Sequence, residues 1–184
     1  GRTCIGVTGS NGKTTTVSLL EYIIKEAGED VILRGNVGTP TVYGLDKIET
    51  KVLSNKFIVA EASSYQLETC TIIKPKIGIF LNVSENHLER HGTIDRYFEA
   101  KTKLFANQTQ SDFLILNEDD AFAKRLKKTN SKILTFGVAE GSDAKIKYDL
   151  KNNIDEIHFK DGQKLNIRGT KLLGLHNRYN IAAV

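Results

Sequence analysis

The stretch Thr3-Cys4-Ile5-Gly6-Val7-Thr8-Gly9-Ser10-Asn11-Gly12-Lys13-Thr14-Thr15 decides the fold. Thr3 to Val7 is short, apolar and β-branched; the chain then turns through Gly9-Ser10-Asn11-Gly12. From Thr14 to Ala27 it runs on as a helix whose apolar stripe comprises Val17, Leu20, Tyr22, Ile23 and Ile24. Strand, glycine loop and helix in that order make a phosphate cradle. Glycines let main-chain N–H groups close around oxygens, the helix start adds its partial positive end, Lys13 neutralises β- and γ-phosphates, and the Thr14 hydroxyl suits magnesium. The longer Walker pattern wants Gly where Val7 stands, so this is the shortened G-x-x-G-K-T form.

Working outward, Gly28 is placed to end the first helix, and Val31 to Leu33 begins a strand before the Gly35-Asn36-Val37-Gly38 turn. Phe57 to Ala60 and Ile77 to Leu81 are compact apolar runs of the kind a parallel sheet buries, each ending in a polar cluster. Ile94 to Ala106 has helical spacing, and Phe113 to Leu116 and Ile133 to Phe136 read as strands around a helix at Asp120 to Lys127. From Lys145 the pattern alternates: Ile146 to Tyr148, then Ile157 to Phe159 paired through Asp161-Gly162 with Leu165 to Ile167. Leu175-His176-Asn177 opens a last helix. The expected fold is α/β: a mostly parallel sheet carrying a P-loop and flanked by helices, with a small additional antiparallel sheet.

The chain has 184 residues, enough for one domain with a real core, and neither repeats nor a Pro/Ser/Gly-rich linker divide it. Its 26 Lys and Arg against 22 Asp and Glu leave a net charge of +4, dispersed along the chain, a weak argument for nucleic acid. Its apolar runs are too short for a membrane helix, and no secretory segment opens the chain, so a cytoplasmic protein is expected. The cysteines, Cys4 and Cys70, lack metal-binding spacing and are expected to be free, buried thiols. Without any Met, and starting at Gly1, the chain reads as a fragment of something longer.

Glu61 follows Phe57-Ile58-Val59-Ala60, and strand C-termini in parallel sheets are where ligands collect. A carboxylate there either caps the strand in solvent or, with the P-loop upstream, completes a magnesium shell. His87 stands at the equivalent place after a later strand, as a surface histidine or an uncommon magnesium ligand.

Six segments, in order, resemble the central ATPase domain of the Mur ligases: Gly9 to Thr15, Gly35 to Gly38, Glu61 to Glu68, Asn82 to His91, Tyr97 to Lys101, and Gly174 to Asn177 with Asn180. The Glu61-to-Glu68 string and Gly-Asn-Val-Gly look like the D-glutamate-adding branch. The resemblance implies that ATP converts a substrate carboxylate to an acyl phosphate, from which an amine displaces phosphate to make an amide in peptidoglycan synthesis. The carboxylate would belong to UDP-N-acetylmuramoyl-L-alanine and the amine to D-glutamate. It also implies that Gly9 to Thr15 hold the phosphates, with Lys13 and Thr14 gripping the β/γ end and the first of two magnesium ions. Glu61 would bridge toward the metals and His87 bind the second. Lys101 aligns with a lysine that CO2 converts to a carbamate supporting that second ion; read alone, it is a helix-surface lysine. Asn36, Ser63 and Gln66 align with positions near the muramoyl substrate and γ-phosphate, although Ser63 and Ser64 equally suit helix capping. Asn177 and Asn180 align with contacts to the adenine side, or are polar surface.

One departure stands beside the metal histidine: the family often has Asp where this chain has Asn86. The resemblance covers residues 1–184 as a single central domain and places a UDP-binding domain before it and an amino-acid-binding domain after it. The chain alone is therefore expected to bind nucleotide without ligating, as a monomer with neither nucleic-acid nor membrane partners. Competing readings are a related ligase such as folylpolyglutamate synthase, a regulatory P-loop NTPase, or a basic nucleic-acid-binding module. The Glu61-to-Glu68 string and Asn36 argue against the first, and only the pI of about 9.0 motivates the last.

Overall fold

The structure, a computed structural model, describes residues 2–35, 56–86 and 88–184. Its elements are β1 (Thr3–Thr8), α1 (Lys13–Glu26), β2 (Val31–Gly35), β3 (Phe57–Glu61), α2 (Ser64–Glu68), β4 (Ile77–Phe80), α3 (Leu88–His91), α4 (Ile94–Thr102), β5 (Phe113–Asn117), β6 (Lys132–Gly137), β7 (Ala144–Asp149), β8 (Ile154–Phe159), β9 (Lys164–Asn166) and α5 (Leu175–Ala182). They build one nine-stranded sheet in the order β2-β3-β1-β4-β5-β6-β7-β8-β9. Neighbours are parallel from β2 to β7, and β7, β8 and β9 pair antiparallel. The expected antiparallel strands therefore extend the main sheet, joined through the register pairs Phe136↔Ala144 and Gly137↔Lys145.

Both faces of the parallel part are buried, so alternate residues of one strand feed different cores. Ile5 and Val7 of β1 and Ile79 of β4 pack with Val17 and Leu20 of α1 and Ala183 after α5. Phe80, Leu114 and Leu116 point the other way, onto Leu67 of α2 and Tyr97 and Phe98 of α4. Burial at roughly 25 cal/mol per Å² of apolar surface is what holds these layers together.

Helix ends follow the chemistry read from the sequence. Beyond α1, Gly28 adopts φ 76°; its N–H bonds Lys25 O at 2.9 Å and the Glu29 N–H bonds Ile24 O at 3.1 Å, closing the helix. Thr93 caps α4 by accepting from the Arg96 N–H at 3.2 Å. This helix stops at Thr102 rather than Ala106, because the chain tightens into turns such as Phe105 N–H to Thr102 O, which seat Leu104 and Phe105 together in the core. The helix expected at Asp120 to Lys127 is instead a 3₁₀ segment, Ala123–Lys128. The Asp120 carboxylate accepts from the N–H groups of Phe122 and Ala123, at 2.9 and 3.0 Å, and so places the segment's start after Phe122. Both cysteines are free as expected, but half-buried rather than buried. Among the described residues no helix is long and apolar enough to cross a membrane.

Candidate nucleotide and substrate site

The strand order reverses at β1, which lies between β3 and β4, and such a reversal opens a crevice at the carboxyl ends of the strands. Three loops meet there: Gly9 to Gly12 after β1, Ala62 and Ser63 after β3, and Leu81 onward after β4. They are tied to one another by main-chain bonds, Ala62 N–H to Val7 O at 2.9 Å and Ser10 N–H to Asn82 O at 2.9 Å.

Gly12, with φ 88°, turns the chain into α1, and the helix N-terminus has no side-chain cap. Its first-turn N–H groups are thus left for an anion. A Cβ on Gly12 would stand 2.3 Å from Asn180 Oδ1, so only glycine lets α5 approach the loop. Asn82 holds the loop from the other side, accepting from the Asn11 N–H at 2.9 Å and donating to Asn11 O at 3.1 Å. Ser10 Oγ accepts from the Ser84 N–H at 3.0 Å and lies 3.3 Å from Tyr97 Oη.

Lys13 Nζ donates to Gly9 O at 2.9 Å and Ser10 O at 3.1 Å. Lys101 Nζ, on α4, donates to the same Gly9 O at 2.9 Å and lies 4.2 Å from the centroid of the Tyr97 ring. Burial lowers the Lys13 pKa, opposed by the charge of Glu61. Lys101 is 1% exposed, and burial, with the charge of Lys13 second, lowers its pKa to about 7. Lys101, which taken alone reads as a helix-surface lysine, is thus a buried amine, poised between charged and neutral at neutral pH. Thr14 Oγ1 donates to Glu61 Oε2 at 2.9 Å, bringing together the hydroxyl and carboxylate read as magnesium partners.

Cavities open on two sides of this loop. One, of about 170 Å³, is lined by Asn11, Gly12, Asn82, Asn117, Phe136, His176, Tyr179 and Asn180. The other, of about 380 Å³, is lined by Lys13, Ser63, Ser64, Tyr65, Gln66, Tyr97 and Lys101. Asn180 therefore reaches the first, while Asn177 stands behind it, accepting from Asn180 Nδ2 at 3.2 Å and donating to Leu173 O at 2.7 Å. Ser63 and Gln66 line the second and also cap α2: Ser63 Oγ accepts from the Gln66 N–H at 3.3 Å, and Gln66 Oε1 accepts from the Ser63 N–H at 3.0 Å. Thr15 is half-buried in the first turn of α1. Asn36 and His87 lie outside the described residues. Among the described residues no group of three or more His, Cys, Asp or Glu could hold a metal. Asn82 and Tyr97 were not singled out from the sequence as site residues, although each opens one of the segments that carry the family resemblance and Asn82 stands directly after a buried apolar run, as Glu61 does.

A family model described as the Mur ligase middle domain matches residues 7–184. The UDP-N-acetylmuramoylalanine–D-glutamate ligase of Clostridioides difficile (strain 630) is 41% identical over 181 residues, covering 97% of this chain and 39% of that protein. The ligase of the same name from Pelotomaculum thermopropionicum is 43% identical over 138 residues, 72% of this chain and 28% of that protein. The chain thus spans about two fifths or less of the length of these curated relatives. Among solved structures, MurF ligase from Thermotoga maritima in complex with ADP superposes with a TM-score of 0.75 at 27% identity, covering 99% of this chain and 44% of that one. E. coli FolC shares the fold at a TM-score of 0.70 and 15% identity, covering 98% of this chain and 52% of that one.

Proposed function

We propose, from the premise that this chain belongs to the Mur ligase family as its middle domain, that it is the ATP-binding part of an ATP-dependent amide ligase joining D-glutamate to UDP-N-acetylmuramoyl-L-alanine in peptidoglycan synthesis. In this reading residues 1–184 form one domain, flanked in the whole protein by a UDP-binding and an amino-acid-binding domain. The observation that carries it is the pair of cavities meeting at one phosphate loop, since phosphoryl transfer needs a nucleotide and an acceptor on either side of the same γ-phosphate.

The adenine end occupies the smaller cavity beside Asn180, which Asn177 orients. The phosphates lie on Gly9 to Thr15, where the N–H groups of α1 donate and Lys13 exchanges its bonds to Gly9 O and Ser10 O for phosphate oxygens. The acceptor carboxylate enters the larger cavity, bordered by Ser63 and Gln66. Thr14 and Glu61 form a set of hard oxygen ligands of the kind magnesium takes with few protein groups, and they fit one ion. By the resemblance, His87 and Asn36, outside the described residues, would hold the second magnesium and border the muramoyl group. Bound ATP and magnesium supply the transferable phosphoryl group and the charge that lets two anions approach.

Lys101 fits a carbamate: a neutral amine attacks CO2, its nitrogen bonds carbon and loses a proton, and a pKa of about 7 keeps neutral amine available. The resulting anion would face Lys13 across a cavity that both line.

Calorimetric titration of this chain with magnesium and a non-hydrolysable ATP analogue tests the reading. Saturable binding that disappears in Lys13→Ala is expected. Equal binding by the variant would remove the phosphate-loop assignment. In the whole protein, phosphate release should depend on D-glutamate; release independent of it would point to a plain NTPase.

A further inference from the structure

Beneath the larger cavity lies a chain of three side chains, Ser64 and His91 buried and Glu68 partly exposed, to which the proposed function gives no task. Ser64, 2% exposed, is the first residue of α2 and lines the cavity. Its Oγ is 3.0 Å from His91 Nε2, and His91 Nδ1 is 3.1 Å from Glu68 Oε1. The rings of Tyr65 and Tyr97 hold the imidazole, at centroid distances of 5.8 and 5.0 Å.

The proton positions follow from the donor inventory. A carboxylate only accepts, and Arg90, donating to Glu68 Oε2 from Nε at 3.1 Å and Nη2 at 2.7 Å, holds the Glu68 carboxyl below its usual range. The Nδ1 of His91 therefore carries a proton. Arg90 pairs with the Glu68 carboxylate, the rings of Tyr65 and Tyr97 flank the imidazole, the Lys103 ammonium bonds the Glu68 carbonyl at 2.6 Å, and Arg96 and Glu99 line a second cavity beside His91. In its neutral form the buried imidazole has its lone pair at Nε2, into which the Ser64 hydroxyl donates. With its proton turned to His91, Ser64 shows only lone pairs to the cavity.

We propose that His91 is a positioning residue which fixes the direction of the Ser64 hydroxyl, so that Ser64 accepts a hydrogen bond from an amide N–H or hydroxyl of the substrate held in the larger cavity. The inference rests on the functional reading above for the identity of that substrate, and on geometry alone for the hydroxyl. It also explains how a cavity whose Lys13 favours anions would recognise the uncharged part of the same molecule.

The test is a double-mutant cycle in the whole protein that carries this chain, varying UDP-N-acetylmuramoyl-L-alanine at saturating ATP. Ser64→Ala should raise its KM about ten-fold, the effect of one hydrogen bond, while the KM for ATP holds. His91→Asn, which keeps a group near Glu68 but falls short of Ser64, should give the same rise, and the double variant no more than either. His91→Gln, long enough to reach Ser64, should recover most of the loss. Additive effects of the two single variants would overturn the proposal, because they would make His91 a packing residue independent of Ser64. A wild-type protein without D-glutamate-dependent phosphate release would defeat the functional reading instead. The hydroxyl assignment is then decided by the ring ¹⁵N spectrum of His91: a proton on Nδ1 and an Nε2 signal that moves in Ser64→Ala support it, and a proton on Nε2 overturns it.

Discussion

Gly12 shows how little room a single atom has at this site. Adding a methyl there meets both a φ of 88° and an approach of 2.3 Å to Asn180 Oδ1. Gly12→Ala should therefore cost about 1–3 kcal/mol in urea denaturation and weaken nucleotide binding by displacing Asn180. Lys101 makes a prediction in pH. Its pKa is about 7 in the folded chain against an ordinary 10.5, so between those values the unfolded chain holds a proton that the native chain lacks. Stability rises with pH across that window, and the cost of holding the charge beside Lys13 in the buried site is fully present below it, on the order of 5 kcal/mol. Urea melts of wild type and Lys101→Met at pH 6.5 and 9.5 should show the wild type gaining relative to the variant; parallel changes would mean that Lys101 titrates normally. Lys13, Thr14 and Glu61 were legible because motif spacing and position after a strand are local facts. Asn82 and Tyr97 were not, since their bonds to Asn11 and Ser10 exist only once β4 and α4 have packed beside β1.

Among elements, α5 depends on one buried ion pair. Arg178 donates from Nε to Asp155 Oδ1 at 2.9 Å and from Nη2 to Asp155 Oδ2, and its Nη1 reaches Leu172 O, fastening α5 to β8. Removing the arginine strands a buried carboxylate, so Arg178→Ala should lose about 3–5 kcal/mol in urea denaturation and loosen nucleotide binding through Asn180. Stability within 1 kcal/mol of wild type would mean that Asp155 finds solvent. Elements with strong periodicity, such as β1, α1 and the Asp161-Gly162 hairpin, were readable from their residues. The segment after Asp120 was not, because apolar spacing cannot tell one tight turn from a short α-helix.

For the whole molecule, βα alternation announced a parallel sheet, but not that β3 returns to one side of β1 and β4 takes the other. That order is a matter of long-range pairing, and it is what sets the phosphate loop between two cavities. It also gathers two amines on the Gly9 carbonyl, where the charge of Lys13 makes Lys101 less basic. Phosphate arriving at Lys13 cancels a cation that disfavours a second one at Lys101, so the Lys101 amine becomes more basic and draws a proton from solution. Metal-free ADP binding near pH 7.5, in CO2-free buffers of differing ionisation enthalpy, should thus be accompanied by net uptake of a fraction of a proton, and Lys101→Met should abolish it. A heat of binding independent of the buffer would mean that the two amines do not communicate. The folded loop would in that sense weigh the anion it receives by the acidity it removes from its surroundings.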